Sequence, residues 1–375
     1  MTEWLLIAGD FTPLGGMDRA NHALARHLAG QRPASVHLVG HRIWPDLLAP
    51  PQVQATRVPR PLGSHLLGVP LLASAGARAA ARLRPAHVVA NGGNADTGDV
   101  NWVHYVHAAH SPQARGLRRG LQIRAAHAHY LRRERRCLAR ARLVICNSER
   151  TAADVRDRLG VDPVKLRVVY YGSDADSFAA ITNDQRAALK RELGWPADRP
   201  VALFVGALGD RRKGFDRLFD AWVRLCGEPG WDVDLTVTGE GAELPRWRRL
   251  AAELGVGDRL RFLGFRADIA RVMGAADVLV HPARYEAYGL GVHEAICRGI
   301  PAIVSASAGI AELYPASAGD LLIDDVEDVA EIADRLRRWR ADPASAAARL
   351  QPLSERLRTR SWDHMGQEIV RVVTA

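Results

Sequence analysis

The sequence predicts an α/β protein built from two doubly wound, mostly parallel sheets, each in its own domain. Three observations support this fold class. The chain has 375 residues, about the length of two domains. Short apolar runs alternate with amphipathic stretches, as expected for strands that helices cover on both faces. This alternation stops over residues 174–185 and then restarts, which indicates a linker between two similar blocks.

The first block contains six predicted strands. The run at residues 4–8 precedes a glycine pair and a helical pattern that continues to Leu28. Helical patterns also lie between several of the later runs, which is the order expected for a parallel sheet. The remaining five strands are predicted at residues 35–40, 87–91, 101–107, 143–148 and 166–172.

The second block contains five predicted strands, at residues 201–208, 233–241, 260–265, 278–283 and 301–307. A last amphipathic helix over residues 361–373 follows a break near Thr359. We therefore expect domains at residues 1–175 and 176–358, and a terminal helical segment at residues 359–375.

Composition excludes several classes of protein. An apolar content of 47% and a charged content of 25% are ordinary for a globular chain, and they exclude disordered, fibrous and disulfide-scaffold proteins. The N-terminus lacks the basic start and long apolar core of a signal peptide, and no window approaches the ~18–20 apolar residues of a membrane span. We expect a cytoplasmic protein, with attachment to the inner membrane surface as an alternative. The four cysteines lie far apart without a Cys-x-x-Cys pair, which predicts buried thiols and no zinc site.

The net charge of +9 is unevenly distributed. Residues 1–180 hold 24 basic and 13 acidic residues, whereas residues 181–375 hold 27 and 29. Residues 111–142 alone carry ten arginines and one glutamate. Only three of the 51 basic residues are lysines, so a GC-rich coding sequence explains part of the arginine content. The segment 111–142 has two interpretations: a solvated helix face, or a patch for an anionic acceptor or membrane surface.

Loops that follow strands are the places where doubly wound sheets bind ligands. Gly15 and Gly16 lie in the first such loop, where backbone N–H groups and a helix N-terminus can approach a phosphate; a plain tight turn is the alternative. The spacing is not the Gly-x-Gly-x-x-Gly of dinucleotide-binding proteins, which disfavours an oxidoreductase.

A basic triplet follows the first strand of the second block. Arg211, Arg212 and Lys213 stand between a strand and a helix, with Gly214 next. Exposed surface charge is the ordinary explanation for such a triplet. Its position at the ligand-binding end of a sheet favours a diphosphate clamp instead.

Two glutamates lie eight positions apart in an otherwise apolar, glycine-rich stretch. Glu286 falls in the loop after a predicted strand, and Glu294 lies two helical turns on, in a helix that opens near Tyr288–Gly291. A pair of glutamates on one helix is usually solvated, but these surroundings favour a functional role. A helix N-terminus at this point also suits a phosphate.

Two histidines occur three residues apart in the fourth predicted strand. On a strand, His104 and His107 point to opposite faces, which makes them poor joint metal ligands. His107 lies nearer the strand's end and is the better candidate for a ligand cleft. A core or capping histidine is the alternative.

Together these features resemble the retaining glycosyltransferases of family 4, which share the GT-B fold. The resemblance covers nearly the whole chain, and its most specific part is Glu286-x7-Glu294 within HPARYEAYGLGVHEAICRGIPAIVS. It implies two Rossmann-like domains that face each other across a cleft, with the last helix crossing back onto the first domain. Supporting matches are Gly15-Gly16, VICNSERTA (144–152), VVYYGSD (168–174), RRKGFD (211–216), TGEG (238–241) and FLGF (262–265).

The sequence departs from the family pattern at a few positions. Gly206-Ala207 replaces a common Gly-Arg, so Arg212 is expected to be the diphosphate arginine. Ala308-Gly309 replaces a Gly-Gly pair, and Tyr171-Gly172 replaces Asn-Gly. With Arg212 in its place, no charged group on which the family relies is missing.

The resemblance implies a metal-independent enzyme without a cofactor, which moves a sugar from a nucleotide diphosphate sugar, most often a UDP-sugar, to an acceptor hydroxyl. Arg212 and Lys213 would neutralise the diphosphate, Glu286 would hold donor-sugar hydroxyls, Glu294 would accept from the ribose, and His107 would contact the sugar. The other implied donor contacts are Gly15, Gly16, Gly206, Gly239, Phe265, Arg266, Tyr288, Gly289 and Leu290.

Two other functions remain open: a non-catalytic nucleotide-sugar binder and a GT-B nucleotide-sugar epimerase. A nucleic-acid partner is not expected, because aromatic residues are only 6% of the chain and none interleave with a basic motif. If the arginine-rich segment binds the acceptor, we expect an anionic or membrane-associated acceptor. The sequence predicts neither the identity of the acceptor nor the oligomeric state.

Overall fold

A computed structural model describes residues 2–31, 33–112, 117–209 and 211–375. The chain divides into two compact units, Met1–Gly172 with Arg360–Ala375, and Ser173–Thr359. The chain therefore enters the second unit once and ends in the first. Each unit contains one large parallel sheet with helices.

The first unit has a seven-stranded parallel sheet and a small two-stranded one, β2–β4. The order of the large sheet is β5-β3-β1-β6-β7-β8-β9, so the strand order reverses between β1 and β6. The strands of the first unit, in both sheets, are β1 (Thr2–Ile7), β2 (Asp10–Phe11), β3 (Ala34–Gly40), β4 (Arg42–Ile43), β5 (Val53–Arg57), β6 (His87–Asn91), β7 (Val100–Val103), β8 (Leu143–Cys146) and β9 (Leu166–Val168). Its helices are α1 (Met17–Gly30), α2 (His65–Leu83), α3 (Leu117–Arg140), α4 (Glu149–Leu159) and α12 (Trp362–Thr374).

The second unit has a six-stranded parallel sheet in the order β12-β11-β10-β13-β14-β15. Its strand order reverses between β10 and β13. The strands are β10 (Val201–Val205), β11 (Asp234–Thr238), β12 (Leu260–Gly264), β13 (Val278–His281), β14 (Ala302–Ser305) and β15 (Leu322–Ile323). The helices are α5 (Asn183–Glu192), α6 (Phe215–Cys226), α7 (Leu244–Glu253), α8 (Ile269–Gly274), α9 (Leu290–Cys297), α10 (Val329–Ala341) and α11 (Pro343–Thr359).

Both sheets are buried on their two faces, which explains the continuous apolar runs in the sequence. In the first unit, Leu5, Ile7 and Val39 of the sheet form one core cluster with Leu72 and Ala75 of α2. In the second unit, all four residues of β13 and of β14 are buried. The reversal point of such a sheet leaves a crevice at the carboxyl ends of the strands, where ligands bind.

The terminal helix α12 packs on α1. Gly366 of α12 permits this contact, because a Cβ atom there would lie 2.4 Å from the ring of His27. His27 Nδ1 also lies 3.2 Å from an Asp363 carboxylate oxygen. The break between α11 and α12 is enforced by Ser361, whose side chain caps the first turn of α12. The predicted break near Thr359 is thus confirmed.

Each predicted strand overlaps an observed one, but the two-residue strands β2, β4 and β15 were not predicted, and three further corrections concern longer segments. The strand predicted at 101–107 ends at Val103, because the chain turns there, and His107 begins a single 3₁₀ turn. The short strand β5, at 53–57, was not predicted because only its first residue is buried. The linker predicted to reach residue 185 ends earlier, since Thr182 and Gln185 form a capping box that starts α5.

Helix α2 corrects the expectation that no stretch resembles a membrane span. Its 19 residues are long and apolar enough to cross a bilayer, with a mean hydropathy of 1.2 over its best window. Packing of one face against the first sheet accounts for part of this composition. Of the cysteines, Cys137, Cys146 and Cys297 are free and buried as predicted, and Cys226 is free and half-buried.

Candidate active site

The loops after β10 and β13 flank the reversal point of the second sheet, and they touch. Gly214 ends the first loop and caps α6 with a φ of 70°. A Cβ atom at Gly214 would lie 1.8 Å from the carbonyl oxygen of Pro282 in the second loop. Glycine is therefore required both by the left-handed backbone and by the close approach. This contact holds the basic triplet 211–213 against the loop that carries Glu286.

Three basic side chains surround the carboxylate of Glu286. Lys213 Nζ donates a hydrogen bond to Oε2 of Glu286. His281 Nε2 lies 2.9 Å from the same oxygen, and Arg212 Nη1 lies 3.9 Å from it. The sequence placed Arg212, Lys213 and Glu286 in one site, and the structure brings them together. It adds His281, the last residue of β13, which the sequence analysis did not single out.

The electrostatics of this cluster fix its charge state. Burial would raise the pKa of Glu286, but Lys213, His281 and Arg212 together hold it well below its usual range. Burial lowers the pKa of His281, against the hydrogen bond that His281 donates to Glu286. At neutral pH the cluster is therefore an ionised carboxylate with a neutral imidazole donating to it and two cations beside it. Such a cluster suits polar, anionic ligands.

Arg284 fixes the backbone of the basic triplet. Its guanidinium donates to the carbonyl oxygen of Arg211 at 2.6 Å and to both carboxylate oxygens of Asp216 at 2.7 and 2.9 Å. Its backbone N–H donates to the carbonyl oxygen of Arg212 at 2.8 Å. Sequence reasoning did not single out Arg284, although it stands in the same HPARYE stretch as Glu286.

Helix α9 begins where the sequence predicted a helix N-terminus. Gly289 caps it with a φ of 108°, and a Cβ atom there would lie 2.9 Å from Ile310. Leu290 is the first helical residue, and Glu294 is buried on the next turn. The side chain of Tyr288 is buried, with its hydroxyl 2.6 Å from Nδ1 of His293, and its predicted role at the donor stays a prediction.

The glycines after β10 and β11 lie side by side. A Cβ atom at Gly239, whose φ is 136°, would lie 1.9 Å from the carbonyl oxygen of Gly206. A Cβ atom at Gly206 would in turn lie 3.2 Å from Cγ of Lys213. These glycines therefore keep the carboxyl ends of two neighbouring strands open next to the lysine.

Phe265 follows β12 and leaves 63% of its surface exposed, which is unusual for a phenylalanine. Arg266 beside it forms a two-point ion pair with Asp268, at 2.6 and 2.7 Å. An exposed ring at the carboxyl edge of a sheet is available for stacking on a flat ligand.

In the first unit, Gly15 and Gly16 connect β2 to α1 as predicted. Gly15 has a φ of 80°, and Gly16 is the N-cap of α1 without a side-chain cap. Asp18 in the first turn has its pKa raised to about 6, chiefly by burial and then by Asp10, against Arg42 and Arg60. The turn therefore offers backbone N–H groups beside a carboxyl group that titrates near neutrality.

His107 and His104 have different surroundings. The His107 ring stacks on Tyr130 of α3, with centroids 5.1 Å apart, and burial followed by His127 lowers its pKa to about 4. His104 is a core histidine, 2.5 Å from the Tyr171 hydroxyl and 2.8 Å from the Asn91 amide, and burial lowers its pKa to about 3. Both rings are therefore neutral at pH 7.

Glu134 holds the turn that begins at His107. Its carboxylate accepts hydrogen bonds from the backbone N–H groups of His107 at 2.8 Å and Ala108 at 3.1 Å. It is buried, and burial raises its pKa to about 7 against those two bonds and Arg135. Sequence analysis noted it only as the single acid among ten arginines, which was the available signal.

Replacing Glu134 by glutamine is expected to change how stability depends on pH. A carboxyl group whose pKa is raised on folding stabilises the protein below its unfolded pKa, and that contribution is lost as the pH rises through about 7. The stability of the variant relative to the wild type should therefore increase as the pH rises from 5 to 8, by roughly 1–3 kcal/mol. This increase should appear as a higher melting temperature of the variant relative to that of the wild type at pH 8 than at pH 5. Thermal melts across this range test it, with the exposed Glu355→Gln as control; parallel curves for the Glu134 variant and the wild type would contradict the assignment.

The arginine-rich segment 111–142 is only partly a solvated face. Arg133 donates to the carbonyl oxygens of Gly93 and Asn94, while Arg136 and Arg140 both bind Asp96. These arginines fasten α3 to the loop after β6 and are not all available to a partner. Residues 113–116 and the side chains of 117–119 lie outside the described part of the chain, and the arginines bound in this way belong to residues 120–142.

Two family models match the chain. The model described as Glycosyltransferase Family 4 matches residues 14–177, and the model described as Glycosyl transferases group 1 matches residues 185–358. A curated relative, the D-inositol 3-phosphate glycosyltransferase of Geodermatophilus obscurus, is 32% identical over 256 residues. That match covers 64% of this chain and 54% of the relative, so the chain spans about half the length of the curated relatives it matches.

Solved structures share the fold at low identity. WaaG, a glycosyltransferase involved in lipopolysaccharide biosynthesis, aligns with a TM-score of 0.79 at 21% identity, covering 100% of both chains. HepE of Anabaena, solved in complex with UDP-glucose, aligns with a TM-score of 0.71 at 20% identity, again over 100% of both chains. At these identities the likeness concerns the fold.

Proposed function

Because this chain belongs to the family-4 glycosyltransferases, whose two-domain fold is GT-B, we propose that it moves a sugar from a nucleotide diphosphate sugar to an acceptor hydroxyl, with retention of the anomeric configuration. The observation that carries the proposal is the cluster at the reversal point of the second sheet. There, Lys213 and Arg212 converge on the half-buried carboxylate of Glu286. A diphosphate needs the cations and a sugar needs the carboxylate, so one cluster serves both halves of the donor.

The donor is proposed to be a UDP-sugar. HepE, which shares the fold, was solved with UDP-glucose, and this supports a uridine donor. The exposed ring of Phe265, with Arg266 beside it, suits the nucleobase. Glu294 on α9 would accept from the ribose hydroxyls, and the backbone at Gly289 and Leu290 would receive a phosphate. Gly206 and Gly239 would leave room for it beside Lys213.

The proposed step breaks the bond between the anomeric carbon and the β-phosphate oxygen, and the electron pair stays on that oxygen. Arg212 and Lys213 stabilise the charge that develops there, which is the main electrostatic demand of the reaction. The acceptor oxygen bonds to the anomeric carbon from the same face, and its proton passes to the leaving diphosphate. The products are the glycoside and the nucleoside diphosphate. No covalent nucleophile is assigned.

Lys213 changes partner in this proposal. In the structure it binds Glu286, and a bound diphosphate would draw it away, leaving the Glu286 carboxylate to accept from the sugar hydroxyls. Metal independence is proposed because Arg212 and Lys213 supply the positive charge that a divalent cation would otherwise give. In the first unit, the proposal assigns His107 to the donor sugar and Gly15-Gly16 to the phosphates, which rests on the resemblance to the family.

An anionic acceptor is proposed on two grounds. The curated relatives are named for D-inositol 3-phosphate, a phosphorylated acceptor. Residues 1–180 of this chain carry an excess of basic over acidic residues, 24 against 13, which would attract such an acceptor. We propose the cytoplasm as the place of reaction, since nucleotide sugars would be the donors.

A donor screen tests the proposed function. Thermal melts of the protein with UDP-, GDP- and ADP-sugars should show the largest rise in melting temperature with a UDP-sugar, because ligand binding to the native state stabilises it. The same donors are then incubated with and without candidate phosphorylated acceptors, and nucleoside diphosphate release is measured. Release that depends on the acceptor supports transfer. Binding without release would favour a non-catalytic binder, a changed sugar on an intact nucleotide would favour an epimerase, and no stabilisation by any donor would contradict the proposal.

A further inference from the structure

Helix α2 presents leucines on two sides. Val69, Leu72 and Ala75 face inward against the first sheet. Leu67 and Leu71, one turn apart on another side, keep 47% and 40% of their surfaces exposed. Although the helix is apolar enough to cross a bilayer, only 33% of its best 18-residue window is buried. Its outer leucines therefore remain uncovered in the chain.

The turn that precedes α2 adds a more exposed leucine. Leu62 leaves 96% of its surface exposed and has a φ of 51°, a conformation that non-glycine residues rarely adopt. Pro61 and Gly63, its neighbours, are also exposed. A leucine this exposed buries little apolar surface within the unit, so its side chain is available to a partner outside it, together with the exposed leucines of α2.

The stretch of sequence that carries these leucines has charge of one sign, although Arg60 within it is paired with Asp10. Residues 47–95 contain five arginines and no acidic residue. Arg78 and Arg82 lie one and two turns beyond Ser74, on the stripe that begins at Leu67 and Leu71, and both are exposed. The outer stripe of α2 is thus apolar in its first half and basic in its second. This is the division expected of a helix that rests at a membrane surface, with leucines in the acyl region and arginines among anionic headgroups.

We propose that the turn 61–63 and the outer face of α2 form a docking surface for an anionic lipid membrane; we name it the α2 face, defined by Leu62, Leu66, Leu67, Leu71, Arg78 and Arg82. A protein partner would need an acidic, complementary surface, and a second copy of this chain would set the arginines of one copy against those of the other. Anionic lipid satisfies the leucines and the arginines together. The surface differs from the arginine-rich segment 111–142, where several arginines are already bound within the unit.

Vesicle binding by the full-length protein tests the proposal without any donor or acceptor, so its outcome is independent of the proposed function. The protein is sedimented with vesicles of phosphatidylglycerol and phosphatidylcholine in equal parts, and with phosphatidylcholine alone. Binding to the first and at least about fivefold weaker binding to the second is expected. The double variant Leu67→Ser/Leu71→Ser should bind the anionic vesicles about tenfold less. Arg78→Gln/Arg82→Gln should lose most of the preference for anionic lipid.

Matched controls lie in the second unit. Leu254, which is 52% exposed at the end of α7, and Arg249, which is exposed on α7, provide Leu254→Ser and Arg249→Gln. Both should bind vesicles as the wild type does. Every variant is first shown to melt within a few degrees of the wild type, because the substituted side chains are exposed.

A second measurement locates the contact. A polarity-sensitive fluorophore on Leu62→Cys should shift to the blue with anionic vesicles, whereas the same fluorophore on Leu254→Cys should not; labelled wild type reports any background from its own cysteines. The proposal is overturned if the wild type does not bind anionic vesicles or if the leucine variant binds them as well as the wild type does. It is also overturned if the emission of the two fluorophores shifts to the same extent. A shift at residue 62 that appears without lipid and depends on protein concentration would indicate self-association instead and would equally overturn it.

Discussion

Lys213→Ala is expected to lower the rate of sugar transfer by at least about tenfold, the equivalent of ~1.4 kcal/mol in the activation free energy. The reason is that Lys213 is the cation bonded to Glu286 and is proposed to neutralise the leaving diphosphate. Its removal also leaves Glu286 with Arg212 as its remaining cationic neighbour beside the neutral His281 imidazole, which raises the pKa of that carboxyl. Both effects raise the activation free energy of sugar transfer. The measurement is kcat and KM for transfer with a verified donor.

The chain supplies a matched control. Lys190, a buried lysine of the same unit, is likewise paired with a carboxylate, that of Asp277, at 2.6 Å. It lies away from the Glu286 cluster. Lys190→Ala should lower the melting temperature, as the loss of a buried pair does, without a comparable loss of kcat. Glu286→Gln should lower transfer by at least about tenfold, and the combined Lys213→Ala/Glu286→Gln variant should lose less than the two single losses multiplied, because the side chains act on each other. Wild-type rates in both single variants would refute the active-site assignment.

Gly214→Ala is expected to destabilise the protein by about 2–4 kcal/mol and to lower transfer with it. A methyl group at this position would stand 1.8 Å from the carbonyl oxygen of Pro282, and the backbone has a φ of 70°. The two loops must therefore separate. Since Lys213 precedes the glycine and Glu286 follows the proline by four residues, their hydrogen bond would be strained or lost. Thermal melts and transfer rates measure the two effects.

The other end of the same helix gives the comparison. Gly227 is the C-cap of α6, with a φ of −81° and its nearest contact for a Cβ atom at 3.4 Å. Gly227→Ala should change stability by less than about 1 kcal/mol and leave kcat unchanged. An equal loss in both variants would mean that α6 as a whole, and not the contact between the loops, determines the effect.

The fold could be predicted from the sequence because parallel strands covered on both faces must be continuously apolar. That constraint appears as local runs in the sequence, and every predicted run overlaps a strand. The short strand β5 lacked the signal because only its first residue is buried and exposed residues lie on both of its faces. The strand at 101–107 was drawn too long because apolar and histidine residues continue beyond Val103, where the chain leaves the sheet.

Part of the candidate site could also be predicted. The basic triplet, the two glutamates and the glycine pair each follow a strand, so topology alone places them at the ligand-binding edge of a sheet. Tyr288 was included in the donor set because it stands beside Gly289; whether its side chain faces a ligand or His293 depends on packing that the local sequence does not encode. Arg284 and Glu134 were missed as site residues because their partners are distant along the chain or are backbone atoms. His281 lies only five residues from Glu286, but nothing in the local sequence shows that its ring turns towards that carboxylate.

The sequence by itself determined the two-block α/β architecture, the family and the edge of each sheet at which charged side chains gather, because these follow from hydrophobic periodicity and from residue order. Only the tertiary structure decided the charge state of Glu286, which depends on two cations, Lys213 and Arg212, and on the His281 imidazole, all brought beside it by folding. It alone separated the arginines of α3 that are bound to Asp96 from the leucines and arginines of α2 that stay exposed. The physical reason is that hydrophobic periodicity is a property of residues close together in the sequence. Burial, ion pairing and pKa instead depend on atoms that come together only when the chain has folded.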